Sequence, residues 1–505
     1  MIAALFVLGL GTRSAALARW AALASSLAAL ALALVLWHGF NPASGGLEFQ
    51  EQHLWIPTLG VQYHLGVDGL GLLMVMLSAI LVPMAMAASW RVDNQVPLYF
   101  ALMLLLQAGL FGTFTALNFF HWFIFWELSL IPAFFLIRLW GGPKRSSAAT
   151  QVFIYTMVGS VTLLLSFVAL FLATGTFEFT ALAELARNGH LLPALSVNLG
   201  RGPLTEDRIA LLIFTGAFLG FAVKLPLIPF HTWLPAAYAE APTGTTMLLT
   251  GAMSKMGAYG FLRILLPIFP EQMQWLRVPL LCLAVATIVL AGYSAFAQKD
   301  LKRIFAYSSI NHLGYCALAI FAVTRLTGTD PAMAREKAAA LNGAFLQMFN
   351  HGLTAATLFW FVAVLEQRSG GLRGLNDFGG IRKVAPVLCG LWGIALFSSL
   401  GMPGLNGFIG EFLIFKGVFP LATWAAALST LGLLITAIFL LTVLERVFSG
   451  PVNERWSAMP DLETREWLAF IPPIGLMFLL GIYPELVLSV TNSTVMQLVK
   501  GLGRQ

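Results

Sequence analysis

Charge is scarce in this chain. Of its 505 residues only 10% are Asp, Glu, Lys or Arg, while 58% are hydrophobic; a soluble domain carries about 25% charged residues. That balance excludes a water-soluble globular enzyme. A single membrane-embedded domain over 1–505 fits instead, because membrane proteins escape the usual limit on core size. Cysteine is nearly absent as well. Cys282, Cys316 and Cys389 stand singly in apolar runs, with neither a disulfide framework nor metal-ligand spacing, and read as small core residues. No Cys-rich, GxGxxG or P-loop pattern occurs, so neither a metal nor an electron-carrying or nucleotide cofactor is expected in this chain. The net charge of +6 comes from cations placed mostly at helix ends and gives no reason to expect nucleic acid. Strand-like alternation over stretches of about 10 residues is missing too, which rejects a membrane barrel.

What the chain has in abundance is long apolar runs. A membrane-crossing helix needs about 20 such residues, and about 14 runs qualify, centred near residues 6, 27, 79, 106, 128, 162, 218, 252, 284, 312, 352, 394, 432 and 476. Backbone groups in lipid must be paired within their own segment, so each run is expected to be a helix. The fold class is therefore an all-α polytopic membrane protein. The first 11 residues lack a basic leading segment and an A-x-A site, and read as a short first helix, not a removed signal peptide. Between 175 and 207, FEFTALAELARNG reads as a short amphipathic surface helix. A last span over 465–489 leaves a tail of about 15 residues.

Lys and Arg set the orientation. Of 29 such residues, Lys224, Lys255, Arg263 and Lys416 lie within spans. With the N-terminus outside, the inner loops hold 16 of the others, among them Arg13, Lys299, Lys302, Arg303, Arg373 and Arg465. The outer side holds nine, including Arg201 and Arg504. Both termini are thus expected outside.

A charge at a helix centre costs about 2.5–3.5 kcal/mol on insertion scales, so each needs a partner or a purpose. Glu127, Lys224, Lys255 and Glu411 pose that demand; Arg263 and Lys416, nearer helix ends, can snorkel to the interface. Structural ion pairs between helices are the plainer reading and a proton-relay path the sharper one. Four histidines also lie in or near spans: His121, His231, His312 and His351. Two of them, His312 in SSINHLGY and His351 in QMFNHGLT, sit on consecutive helices, each after an asparagine, and histidine is the side-chain type suited to a proton relay near neutral pH.

Two spans look interrupted. In KLPLIPFHTWLP, Pro226 and Pro229 each remove a backbone donor; SLGMPGLNGFIGEF (399–412) carries Gly401, Pro403, Gly404, Gly407 and Gly410. Helix breaks at membrane depth persist only where protein or water satisfies the freed groups. Each break neighbours a buried charge, Lys224 before the first and Glu411 after the second. Lys224 and Glu411 lie 187 positions apart, and Glu127 and His312 lie 185 apart. Counterparts are offset by five helices, an odd number, which gives two inverted five-helix repeats over 97–267 and 274–449 with discontinuous helices 7 and 12.

Several stretches together resemble the antiporter-like subunits of respiratory complex I, and within them the M type, the counterpart of mitochondrial chain 4. They are HLGVDGLGLLMVMLS (64–78), FFHWFIFWELSLIPAFFLI (119–137), FAVKLPLIPFHTWLPAAYAEAPT (221–243), MSKMGAYGFLR (253–263), AFAQKDLKRIFAYSSINHLGY (295–315), NHGLTAATLF (350–359) and GMPGLNGFIGEFLI (401–414). The resemblance spans nearly the whole chain. It implies a proton-transfer set of Glu127, Lys224, Lys255, His312, His351 and Glu411, with glutamate at the closing position as in the M type. Asn118 departs from the family pattern, standing in a region where a carboxylate is often found.

The resemblance further implies a proton-translocating subunit of NADH:quinone oxidoreductase in a bacterial inner membrane, with both termini periplasmic. Neighbouring antiporter-like subunits and membrane lipids are its implied partners. NAD, FMN, iron–sulfur clusters and quinone are expected in partner subunits and none in this chain. The nearest rival is a subunit of a multi-subunit sodium/proton antiporter with the same fold. A solute symporter would need substrate-binding groups clustered at one midplane site, whereas the ionisable residues here are strung over at least five helices. A non-transporting scaffold remains the structural alternative.

Overall fold

The computed structural model describes residues 1–11, 14–199, 205–325, 327–328 and 330–502. Arg13, Arg201 and Arg504, used above for orientation, lie outside the described residues, as does the Arg465 side chain. The chain opens with α1 (Ile2–Gly9) and α2 (Ala15–Gly39). It then departs from the all-helical expectation. Strands β1 (Glu48–Ile56) and β2 (Val61–Val67) pair antiparallel around a turn closed by Gly60, whose φ of 62° suits glycine. This connection carries too few consecutive apolar residues to span, and alternating side chains such as those of VQYHLGV suit a half-covered ribbon. β1 is largely exposed, whereas β2 lies against the helix ends, with Leu65 bridged to Ala116.

Four long helices follow: α3 (Gly69–Ala88), α4 (Val96–Thr115), α5 (Phe119–Trp140) and α6 (Arg145–Thr174). Asp68 caps α3 by accepting Gly71 N–H at 2.9 Å, and Asn118 caps α5 by accepting Phe120 N–H at 3.0 Å. The amphipathic segment is α7 (Phe179–Arg187), and a second short helix, α8 (Leu191–Leu199), follows it.

The next apolar stretches are divided. α9 (Glu206–Lys224) stops at the lysine, and α10 (Trp233–Glu240) begins after a gap of eight residues. From 243 to 268, α11 (Thr243–Leu248), α12 (Lys255–Gly260) and α13 (Leu266–Ile268) are joined through π-helical turns at Leu249–Met253 and Phe261–Leu265. Such turns aim side chains differently from an unbroken α-helix and recur at functional sites.

After α14 (Pro270–Trp275) come α15 (Arg277–Phe296), α16 (Leu301–Ala322) and the 39-residue α17 (Pro331–Ser369). α18 (Pro386–Ser399) and α19 (Asn406–Leu421) flank the second break, and α20 (Thr423–Phe448) and α21 (Thr464–Ile482) follow. The expected tail is a helix, α22 (Glu485–Leu502), bent 64° from α21. Its buried face, including Val490, Thr494 and Val495, packs on α3 and α17, and Thr494 accepts Gly69 N–H at 2.9 Å.

Among the described residues nine helices are long and apolar enough to cross a membrane, or ten if α21 and α22 form one bent span. α16 and α17 are almost wholly buried and form the centre. α2 and α20 instead expose apolar side chains such as Leu32, Val35, Leu434 and Ile438. That arrangement suits lipid, where the outer surface gains nothing from polarity.

Candidate functional site

The first buried charge sits at a helix end. Lys224 closes α9 and is 2% exposed. Its ammonium donates to Ser129 Oγ at 3.0 Å and to the Trp126 carbonyl at 3.4 Å, and lies 4.0 Å from the Trp126 ring centroid. Cation–π attraction is strongest over a desolvated tryptophan. The indole is itself fixed: its Nε1–H donates to Ser160 Oγ at 3.0 Å, and Trp122 stacks on it at 4.7 Å. Glu127 stands next to Trp126 on α5. No ion pair within 4.0 Å joins them among the described residues, and Glu127 Oε1 is buried without a hydrogen-bond partner. Lys224 is therefore held by neutral groups, with its counter-charge at a distance.

The break after Lys224 follows from its prolines, and protein groups satisfy what they free. Leu227 N–H donates to Ala222 O at 3.0 Å, and Trp233 Nε1–H donates to Val223 O at 3.0 Å. Ile228 N–H reaches Thr287 Oγ1 on α15 at 3.1 Å. His231 lies within the broken segment, partly exposed, its Nδ1 without a partner. His121, at the start of α5, packs 4.8 Å from the Tyr63 ring of the hairpin.

The remaining candidates form one connected cluster. Lys255, fully buried on α12, donates to Thr250 O at 2.5 Å and contacts His351 Nδ1 at 2.8 Å. The His351 and His312 rings lie 5.2 Å apart. His312 Nδ1 is 3.0 Å from Glu411 Oε1, and its Nε2 is 3.2 Å from Ser399 Oγ. Four groups on α12, α17, α16 and α19 thus stand in sequence, all under 8% exposed. Glu411 also lines a separate apolar cavity of about 420 Å³ between α19 and α20.

The second break builds the Glu411 end. Gly401 and Gly404 take φ values of 80° and 92°, a region costly for side chains with a Cβ. Gly407 approaches so closely that an added Cβ would lie 1.9 Å from Ser398 O. Asn406 locks the restart of α19: its carbonyl accepts from Asn350 at 2.6 Å, and its side chain accepts from Ser398 and Thr354.

The six sequence candidates therefore divide into two sets. Glu127 and Lys224 stand together at the first break; Lys255, His351, His312 and Glu411 stand together at the second; no hydrogen bond joins Lys224 to Lys255 among the described residues. Sequence reasoning missed Gln347, whose amide nitrogen lies 3.1 Å from Glu411 Oε1 and 3.4 Å from His312 Nδ1. Its signal was positional: one helical turn before His351, it shares that residue's face. The asparagines before the histidines point elsewhere, Asn311 donating to Ile288 O at 2.7 Å and Asn350 holding Asn406.

Arg263 does not snorkel. It is mostly buried against Asp68, while Lys416 pairs with Glu336 at 2.9 Å nearer the surface. Asn118, where the family often has an acid, meets a carboxylate from another element: its amide donates to Glu178 Oε1 at 2.6 Å, and Glu178 Oε2 lies 2.6 Å from His64 Nδ1. Among the described residues no three His, Cys, Asp or Glu side chains gather as a metal site.

Helices of membrane-crossing length, with interruptions beside buried ionisable groups, place the chain in the class of antiporter-like membrane proteins. The match to known proteins is specific. Residues 116–436 fit the family model described as NADH:quinone oxidoreductase/Mrp antiporter, TM, and the chain belongs to that family. It is 36% identical to NADH-quinone oxidoreductase subunit M of Rhodobacter capsulatus, over 96% of this chain and 90% of that one. To the subunit M of Mycobacterium tuberculosis it is 32% identical, over 97% and 90%. Among solved structures it is similar to a chain of respiratory complex I from Thermus thermophilus with bound NADH (TM-score 0.82, 28% identity, 96% and 95% covered). A chain of the Mrp complex from Dietzia sp. DQ12-45-1b shares the fold (TM-score 0.80, 18% identity, 99% and 98% covered).

Proposed function

We propose that this chain is a proton-translocating membrane subunit of an NADH:quinone oxidoreductase. In this reading it crosses a bacterial inner membrane about 14 times, with both termini periplasmic, as the positive-inside count suggests. The helices containing the two breaks are discontinuous helices 7 and 12 of two inverted repeats (97–267 and 274–449), and 465–489 is the last span. The breaks beside Lys224 and before Glu411 support that reading.

The contact sequence Lys255–His351–His312–Glu411 is the observation that carries the functional reading. Each member can bind and release a proton, each is buried, and each lies beside the next. Lys224 loads the path. Burial removes hydration from its charged form, and the Glu127 carboxylate compensates according to its distance. Because no ion pair fixes that distance, movement of Glu127 toward or away from Lys224 switches the lysine between holding and releasing a proton. Carrying one charge against 100 mV requires about 2.3 kcal/mol, a scale that changes in one buried charge–charge contact can supply. NAD, FMN, iron–sulfur clusters and quinone belong to partner subunits; the lack of Cys-rich and nucleotide-binding motifs supports placing them there. Neighbouring antiporter-like subunits and lipids cover the exposed apolar helices.

Lys224→Ala and Glu127→Ala in the assembled complex test this reading by proton pumping coupled to quinone reduction. Both should lose it, and intact pumping in either means that the carriers are misassigned. The family's Mrp branch and the shared fold favour a second reading, a subunit of a multi-subunit sodium/proton antiporter. Copurification with a flavin- and iron–sulfur-containing arm decides for the first.

A further inference from the structure

Lys255 and Tyr259 stand one turn apart on the same face of α12, and Arg263, in the π-helical turn that follows, reaches back to Tyr259. The end farther from Lys255 is tightly connected. Arg263 Nε donates to the Tyr259 hydroxyl at 3.3 Å, its guanidinium lies 5.6 Å from the Tyr259 ring centroid, and its Nη2 pairs with Asp68. Tyr259 donates onward to Phe114 O at 3.2 Å. Asp68 and Arg263 together line a cavity of about 380 Å³ bounded by α7 and α22. Its other charged liners are Glu184, Arg187 and Lys500. The cavity lies on the hairpin side, the outer face in the orientation proposed above. Neither residue belongs to the Lys255–Glu411 sequence, yet one end of this buried ion pair faces an opening while Lys255 is fully enclosed.

We propose that Tyr259, Asp68 and Arg263 form an outer-face proton outlet from Lys255, closed in this structure by the Asp68–Arg263 pair; the proposal rests on the relay described above. Only protons move in the step. A Lys255 Nζ–H bond breaks, the Tyr259 hydroxyl takes that proton and, turning its own O–H from Phe114 O to the Asp68 carboxylate, passes it on, and Asp68 loses it to water in the cavity. Arg263 stays charged throughout. Protonating Asp68 cancels the attraction that holds the pair, so the guanidinium swings toward the cavity, where Glu184 is the available acid. Deprotonation draws it back and closes the outlet. Lys255 here points the other way, to Thr250 O and His351. Its flexible four-carbon stem must therefore turn by about one helical turn to load Tyr259, which separates uptake from release.

A plug in the cavity tests the outlet. Ala183, which lines the cavity from α7, is changed to cysteine with Cys282 and Cys389 replaced by serine. The assembled complex is reconstituted in liposomes, and a membrane-impermeant anionic thiosulfonate is added on the outer face. Protons pumped per NADH oxidised are measured on one preparation before and after labelling, with Lys255→Met and Tyr259→Phe alongside. The outlet predicts that labelling and Tyr259→Phe each lower the ratio to that of Lys255→Met. If labelling is complete by mass spectrometry and the ratio is unchanged while Lys255→Met stays deficient, the outlet is wrong and the relay stands. A wild-type ratio in Lys255→Met overturns both.

Discussion

Lys255→Met removes a buried cation while keeping an unbranched side chain of similar length. Two contacts are lost, the bond to Thr250 O at 2.5 Å and the contact with His351 Nδ1 at 2.8 Å. Leaving a buried acceptor unpaired costs about 1–3 kcal/mol, so these losses sum to a few kcal/mol. Against them stands the relief of no longer burying an ammonium, an effective penalty of several kcal/mol per ion. The two effects nearly cancel. The variant should therefore assemble and melt within roughly 2 kcal/mol of the parent, yet transfer no proton between Lys255 and His351. Thermal unfolding of the purified complex reads the first half. Quinone-coupled acidification of liposomes, normalised to NADH oxidation, reads the second. Unchanged pumping would refute the reasoning; loss of assembly would show that the lysine is a structural pin, as the scaffold reading holds.

Three further outcomes follow from the same geometry. Glu411→Gln keeps the shape of the contacts with His312 and Gln347 but removes the proton acceptor, so pumping should fall while the melting temperature stays within a few degrees. Gly410→Ala places a Cβ 2.8 Å from Gln347 Oε1 and 3.0 Å from its backbone nitrogen, and overpacking of this kind costs about 1–3 kcal/mol, read as a lower unfolding temperature. In contrast, Gly393→Ala within α18 meets nothing within 4 Å and should raise stability by about 0.5–1 kcal/mol.

The sequence announced its costly residues and kept quiet about their partners. Glu127, Lys224, Lys255 and Glu411 stood out because hydrocarbon penalises charge regardless of fold. The breaks after Lys224 and around Gly401–Gly404 were legible because proline and glycine act locally. Contacts across the fold were not. Asp68 and Arg263 meet from α3's cap and a π-helical turn, so Arg263 read as a snorkelling residue when its partner lay 195 positions away. Gln347 was invisible because a polar amide in an apolar helix carries no charge cost to flag it. Asn118 read as a missing acid, and the carboxylate that meets it comes from Glu178 beyond α6. The hairpin was hidden for a different reason: two short strands satisfy their backbones by pairing with each other, a solution that counting apolar residues does not detect.

Ordered water between Lys224 and Lys255 tests the relay most directly. The groups from Lys255 to Glu411 lie in contact, whereas among the described residues no hydrogen bond joins the two lysines. Buried water is retained where two to four polar partners can hold it. A map of the assembled complex at a resolution that shows individual waters should reveal a hydrogen-bonded file from Lys224 to Lys255 in at least one state of turnover. A dry, apolar seal between them in every state would contradict the account, because a proton loaded at Lys224 would have no way to reach Glu411.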